Sequence, residues 1–152
     1  MLPPGGAPVG YDVETISVDG RATALGSAGP FTLVVDRAPE VGGRGLGFNG
    51  GQLLNLAVAA CFSNDLFREA ARLAIDLRRV RVTARSEYGG APVVSGPIEV
   101  ELELDGNAPT ERLAELVSLV DRVAEIPNSL RHGTQVRLAA TRVNGAAVAR
   151  PS

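Results

Sequence analysis

The chain has 152 residues, 45% hydrophobic and 21% charged, which holds one domain with a real core and is too short for two full-sized ones. A formal net charge of −2 argues against a nucleic-acid binder, which shows a basic patch, and 4% aromatics with no tryptophan argue against base-stacking platforms. All fifteen basic residues are arginine, a bias read as genome composition, and no run reaches the roughly 18–20 apolar residues that a membrane span needs.

Residues 1–10, MLPPGGAPVG, read as a flexible arm, without the basic and apolar regions of a signal peptide. YDVETISV and RATALGS flank Asp19-Gly20, a tight-hairpin signal, and PFTLVVDR reads as a third strand. Residues 38–51, APEVGGRGLGFNGG, hold six glycines and read as a loop, a flexible flap over the helix that follows. From Gln52 to about Ile75 there is no glycine or proline, and the apolar run at 53–60 predicts a helix buried on nearly all sides. Val80, Val82 and Ala84 then alternate with arginines, and Ile98, Val100, Leu102 and Leu104 with acids. These are two half-buried strands, one faced by arginine and one by glutamate, so opposite charges meet if they pair antiparallel. Pro109 and Glu111 open a second helix striped by Leu113, Leu116, Val117 and Val120. IPNSLRHG interrupts it, TQVRLAATRV supplies a last strand, and residues 144–152 form a C-terminal tail. The order predicts an α+β fold of largely antiparallel sheets packed around a long buried helix, with one domain over 11–143. So apolar a helix needs a partner subunit, most simply in a twofold homodimer.

Cys61 is the only cysteine, which excludes an internal disulfide framework and makes a reducing cytoplasm the expected compartment. Its helical neighbours are Leu54, Ala57 and Val58 on one side and Asn64, Asp65 and Arg68 on the other, so it lies where an apolar face gives way to a polar one. A working thiolate needs a nearby cation, and Arg37, Arg44 and Arg68 are the candidates. Residue chemistry alone favours a small buried cysteine over a reactive thiol. His132 reads as a surface loop residue, and Asp65 with Glu69 as a solvated pair. Asn55 and Asn64 read as amides that find partners across a dimer. With no second Cys or His, no metal is expected.

GFNGGQLLNLAVAACF, with EIPNSL after an amphipathic helix, resembles the OsmC/Ohr family of thiol peroxidases over residues 11–143. The resemblance implies an intertwined α+β homodimer with sites between subunits and no cofactor. It implies reduction of organic hydroperoxides by thiolate attack on the O–O bond, with Cys61 as the peroxidatic cysteine and Arg37 as the activating arginine. The chain is a divergent member. Ala124 stands where the family has its resolving cysteine, and Gly51 where it has a glutamate that holds the arginine. The implied function is therefore a one-cysteine hydroperoxide reductase in oxidative-stress defence, closed by an external thiol. The alternatives are a non-catalytic dimer that binds an apolar small molecule in a cleft lined by Leu53, Leu54, Ala57 and Phe62, a sensor, or a structural dimer.

Overall fold

In a computed structural model describing residues 7–149, helix α1, Gly50–Arg72, is the element on which the others are arranged. Its start is fixed locally. The Asn49 side chain accepts the Gln52 N–H at 2.9 Å while the Gln52 side chain accepts the Asn49 N–H at 2.9 Å, a reciprocal cap for two otherwise orphaned donors. Strands β4 (Leu77–Arg85) and β7 (Glu99–Gly106) pair antiparallel and, with α2 (Thr110–Val123), cover one face of α1. Val58, Phe62, Leu66 and Ala70 of α1 meet Leu116 and Val120 of α2 there, with Val82, Val100 and Leu102 half-buried against them.

The charged faces of β4 and β7 meet as expected. Arg81 lies opposite Glu103, Arg85 opposite Glu99, and Thr83 opposite Glu101. Arg81 Nη1 is 3.5 Å from Glu103 Oε1, and Arg85 Nη2 donates diagonally to Glu101 Oε2 at 3.0 Å. Strands β5 (Tyr88–Gly89) and β6 (Val94–Ser95) form a small hairpin between them.

Strands β1 (Glu14–Ser17), β2 (Ala24–Ala28) and β3 (Phe31–Val35) form a separate antiparallel sheet. The tight turn predicted at Asp19-Gly20 is the centre of a longer loop. Both residues have positive φ, 53° and 61°, and the Val18 N–H donates to Thr23 O at 2.8 Å. Ile16 and Phe31 of this sheet, and Val13 just before it, are 62%, 76% and 75% exposed.

The glycine-rich loop after β3 is not the flexible flap expected from its composition. It is wound around the Asp36 carboxylate, which is 1% exposed. Asp36 Oδ1 accepts the Arg37 N–H at 2.8 Å, and Oδ2 accepts the N–H groups of Arg44 and Leu46 at 3.2 Å and the Thr23 hydroxyl at 3.1 Å. The glycines permit that winding: a Cβ on Gly43 would sit 1.9 Å from Arg37 O, and one on Gly47 2.1 Å from Val34 O. Burial pushes the Asp36 carboxyl up, but the four donors outweigh it and hold it below the usual carboxylate range.

One chain does not cover helix α1 all round: Leu56 and Phe67 are 47% and 48% exposed and Ala57 and Ala60 are exposed. One further expectation is corrected: the last strand is not 134–143. Only β8, Thr141–Val143, forms, and it pairs with β9, Ala146–Val148, inside the predicted tail. Asn144 and Gly145, with φ of 49° and 80°, supply the tight turn that Asn-Gly favours. Residues 134–140 stay irregular, with Val136 99% exposed, since their alternation becomes a ladder only beside another strand. Residues 7–10 of the predicted arm are exposed and irregular; its first six residues and residues 150–152 of the tail lie outside the described residues.

Leu116, fully buried, should cost about 2–5 kcal/mol of unfolding free energy when cut to alanine. Arg81→Ala, on the wet face, should change it by less than about 0.5 kcal/mol; urea titrations of both variants check the contrast. The Asp36 contribution is complete above about pH 4 and disappears as pH falls through its lower folded value. Thermal midpoints should therefore fall on the acid side in the wild type, with a flatter acid limb in Asp36→Asn.

Candidate functional site

Helical spacing on α1 aligns Ala57, Cys61, Asn64, Asp65 and Arg68 along one stripe. Ala124, buried and with φ −62° and ψ 118°, ends α2 and redirects the chain into a short helix, α3 (Glu125–Arg131). The first turn of α3 lies across the stripe. Together they wall a pocket of about 470 Å³ with Tyr11 and Ile126 at its sides. Cys61 is half-buried in it and reachable from solvent.

The groups facing the sulfur are mainly acidic. Cys61 Sγ lies 3.9 Å from Asp65 Oδ2 and 3.8 Å from Glu125 Oε2, either of which can accept its one S–H. Arg68 holds those carboxylates, with Nη1 2.6 Å from Asp65 Oδ1 and 3.9 Å from Glu125 Oε1. Arg68 Nε donates to Glu69 at 2.9 Å, and its buried Nη2 has no hydrogen-bond partner among the described residues. Burial pushes the Cys61 thiol up and the negative charges of Asp65 and Glu125 push it further. Backbone N–H groups of Ile126 and Glu125 pull against them without reversing the direction. Burial also raises the Asp65 carboxyl, with Arg68 opposing and Glu125 adding to it. Sulfur and carboxylate ligand atoms of Cys61, Asp65 and Glu125 lie within 4.8 Å of one another, a span and donor set that a divalent ion can use. The Arg68 guanidinium already supplies both carboxylates with positive charge.

Of the three arginines considered for the thiol, Arg68 shares its pocket. Arg37 and Arg44 are exposed on the Asp36 loop and do not line that pocket. The four predicted substrate residues separate into three places. Ala57 lines the Cys61 pocket, Leu53 an apolar groove of about 260 Å³ beside β1–β3, and Leu54 and Phe62 a cavity of about 410 Å³ walled by Ile98, Pro127 and Leu130. Asp65 and Glu69 are not the solvated pair expected: they are 3% and 5% exposed and bound to Arg68. Asn55 accepts from Ser86 Oγ at 3.1 Å within the chain, and Asn64 lines the thiol pocket. His132 is exposed, its Nδ1 2.7 Å from Asn128 O at the end of α3. At Gly51 a Cβ would meet the Tyr88 phenol at 3.1 Å, so the phenol occupies the space a side chain would need. Glu125 was missed because it sits at a helix break, where periodicity gives no direction; an acid in the first turn of a helix was its one local signal.

A sequence model described as OsmC-like protein matches residues 43–139. No curated protein matches the chain. Among solved structures, an OsmC-like protein from Mycoplasma pneumoniae superposes with a TM-score of 0.73 at 15% identity, covering 86% of this chain and 94% of that one. A protein from Legionella pneumophila described as an organic hydroperoxide resistance protein OsmC gives 0.62 at 24% identity, over 83% and 92%. An organic hydroperoxide resistance protein from Elizabethkingia anophelis gives 0.64 at 21%, over 84% and 91%. At these identities the likeness is one of fold, and with a family match over more than half its length the chain belongs to the OsmC-like protein family.

Proposed function

We propose that this protein reduces organic hydroperoxides at Cys61 in oxidative-stress defence, with an external thiol closing the cycle. The observation that carries the reading is an accessible sulfur with two carboxylates at 3.8–3.9 Å able to take its proton. Asp65 or Glu125 accepts the thiol proton as the sulfur attacks the distal oxygen of the hydroperoxide. The O–O bond breaks, the sulfur becomes a sulfenic acid, and the carboxyl returns the proton to the departing alkoxide, which leaves as an alcohol. One external thiol displaces water to form a mixed disulfide, and a second releases the Cys61 thiol as the external disulfide forms. Ala124 offers no sulfur for that step. Such a cycle runs where small thiols are kept reduced, as in the cytoplasm.

This reading includes a homodimer. Leu56 and Phe67 on α1 and Ile16 and Phe31 on the β1–β3 sheet leave apolar surface open that a second copy would cover. Arg37, held on the Asp36 loop, does not line the Cys61 pocket of its own chain, and in this reading it acts across the contact between copies. A second reading, a non-catalytic dimer that binds an apolar small molecule in the cavity at Leu54 and Phe62, is favoured by that cavity and by a thiol that burial and two neighbouring carboxylates push up.

Two measurements test these readings, and the second separates them. Alkylation of Cys61 across pH should give a midpoint above the ordinary thiol value of about 8.5, and Asp65→Asn and Glu125→Gln should each bring it down. Peroxide consumption with dithiothreitol should rise toward alkaline pH in the wild type and vanish in Cys61→Ser. Equal rates in wild type and Cys61→Ser would remove the peroxidase reading and leave the ligand-binding one.

A further inference from the structure

The Asp36 hub does more than fold the glycine-rich loop. Its carboxylate takes the Thr23 hydroxyl, from the β1–β2 turn, and the Arg44 N–H, from the loop after β3. Two segments distant in sequence are thereby pinned side by side, and a polar cleft of about 310 Å³ opens between them. Its walls are Gly20, Arg21, Ala22 and Thr23 on one side and Gly42, Gly43 and Arg44 on the other. No acidic residue lines it. Both arginines are exposed, and among the described residues neither guanidinium makes an ion pair or a hydrogen bond. The buried Asp36 carboxylate, to which both segments are tied, is consumed by its four donors.

The glycines keep the cleft open. Gly20 and Gly42 have φ of 61° and 87°, and Gly43 has no room for a Cβ against Arg37 O, so these wall positions carry backbone and no side chain to fill the space. What remains is a cavity of about 310 Å³, at the lower end of the size range for small-molecule sites, whose lining includes two arginines with no partner among the described residues, one from each segment. Guanidinium groups bind oxyanions through paired, charge-assisted N–H donors, and two facing one cleft can clamp one group from both sides.

We propose that this cleft is a binding site for a small molecule bearing an oxyanion, a phosphate or a carboxylate, held between Arg21 and Arg44. The site is separate from the thiol pocket, shares no lining residue with it, and does not depend on the peroxidase reading.

Isothermal titration of the full chain with inorganic phosphate and, separately, with succinate tests the proposal, at ionic strength held constant with chloride. At least one probe should bind saturably, and which one binds identifies the anionic group. Arg21→Gln and Arg44→Gln should each weaken binding by about tenfold or more. Arg142→Gln, the same charge removed from exposed β8, should leave it unchanged. Thermal midpoints without anion should match the wild type, since both cleft arginines are exposed. Absence of saturable binding with either probe overturns the proposal, as does equal weakening by the Arg142 substitution.

Discussion

Helix α1 sets the terms for the rest of the molecule. It is 23 residues long and apolar over most of its circumference in its first half, yet one chain brings only the β4–β7 pair, α2 and the short α3 to cover it. The result is a helix in two regimes. Along Val58, Phe62, Leu66 and Ala70 it is the floor of a closed core. Along Leu56, Ala57, Ala60 and Phe67 it stays open, and the β1–β3 sheet stands beside it with apolar residues of its own exposed. Hydrophobic burial is the main favourable term in folding, and within one chain this part of the apolar surface is left out of it.

Cys61 sits at the border between the regimes, and its chemistry is decided there. A thiol deep in the closed half would be inert packing, and one on the open face would titrate as an ordinary surface cysteine. At the border it is partly desolvated and within reach of two acids and two backbone N–H groups. The acids are tolerated because Arg68 binds both, so the network carries its own neutralising charge. The family resemblance implied an arginine pairing with the sulfur. Here the arginine of the pocket pairs with the acids, and the sulfur pairs with them too. Under the proposed function, that exchange gives the charged groups a proton to move in place of a thiolate to hold.

The glycine-rich loop shows a second use of a buried charge. Composition read it as a flap because glycine is permissive, but permissiveness also allows backbone to approach backbone closely. Gly43 and Gly47 are used in that way, and the loop is rigidified by a carboxylate at its centre. Nothing in the local pattern distinguishes these outcomes, since Asp36 ends an ordinary strand and its donors come from residues 23, 37, 44 and 46.

By itself the sequence determined what depends on neighbours within a few positions. The Asn49–Gln52 cap, the period-two alternation of β4 and β7 with its matching charges, the stripe of α2 and the placing of Cys61 between apolar and polar faces are all set by short-range spacing. The family resemblance rested on the same short-range motifs. Tertiary structure decided what depends on groups brought together from afar. Glu125 reaches the Cys61 sulfur from 64 positions away because Ala124 breaks a helix, and Asp65 is buried because Arg68 comes with it. Arg21 and Arg44 share a cleft because a carboxylate between them tethers both segments. Periodicity reports which way a side chain points along its own element; which charge it meets is fixed only when the elements pack, and electrostatic energies depend on those distances and on burial.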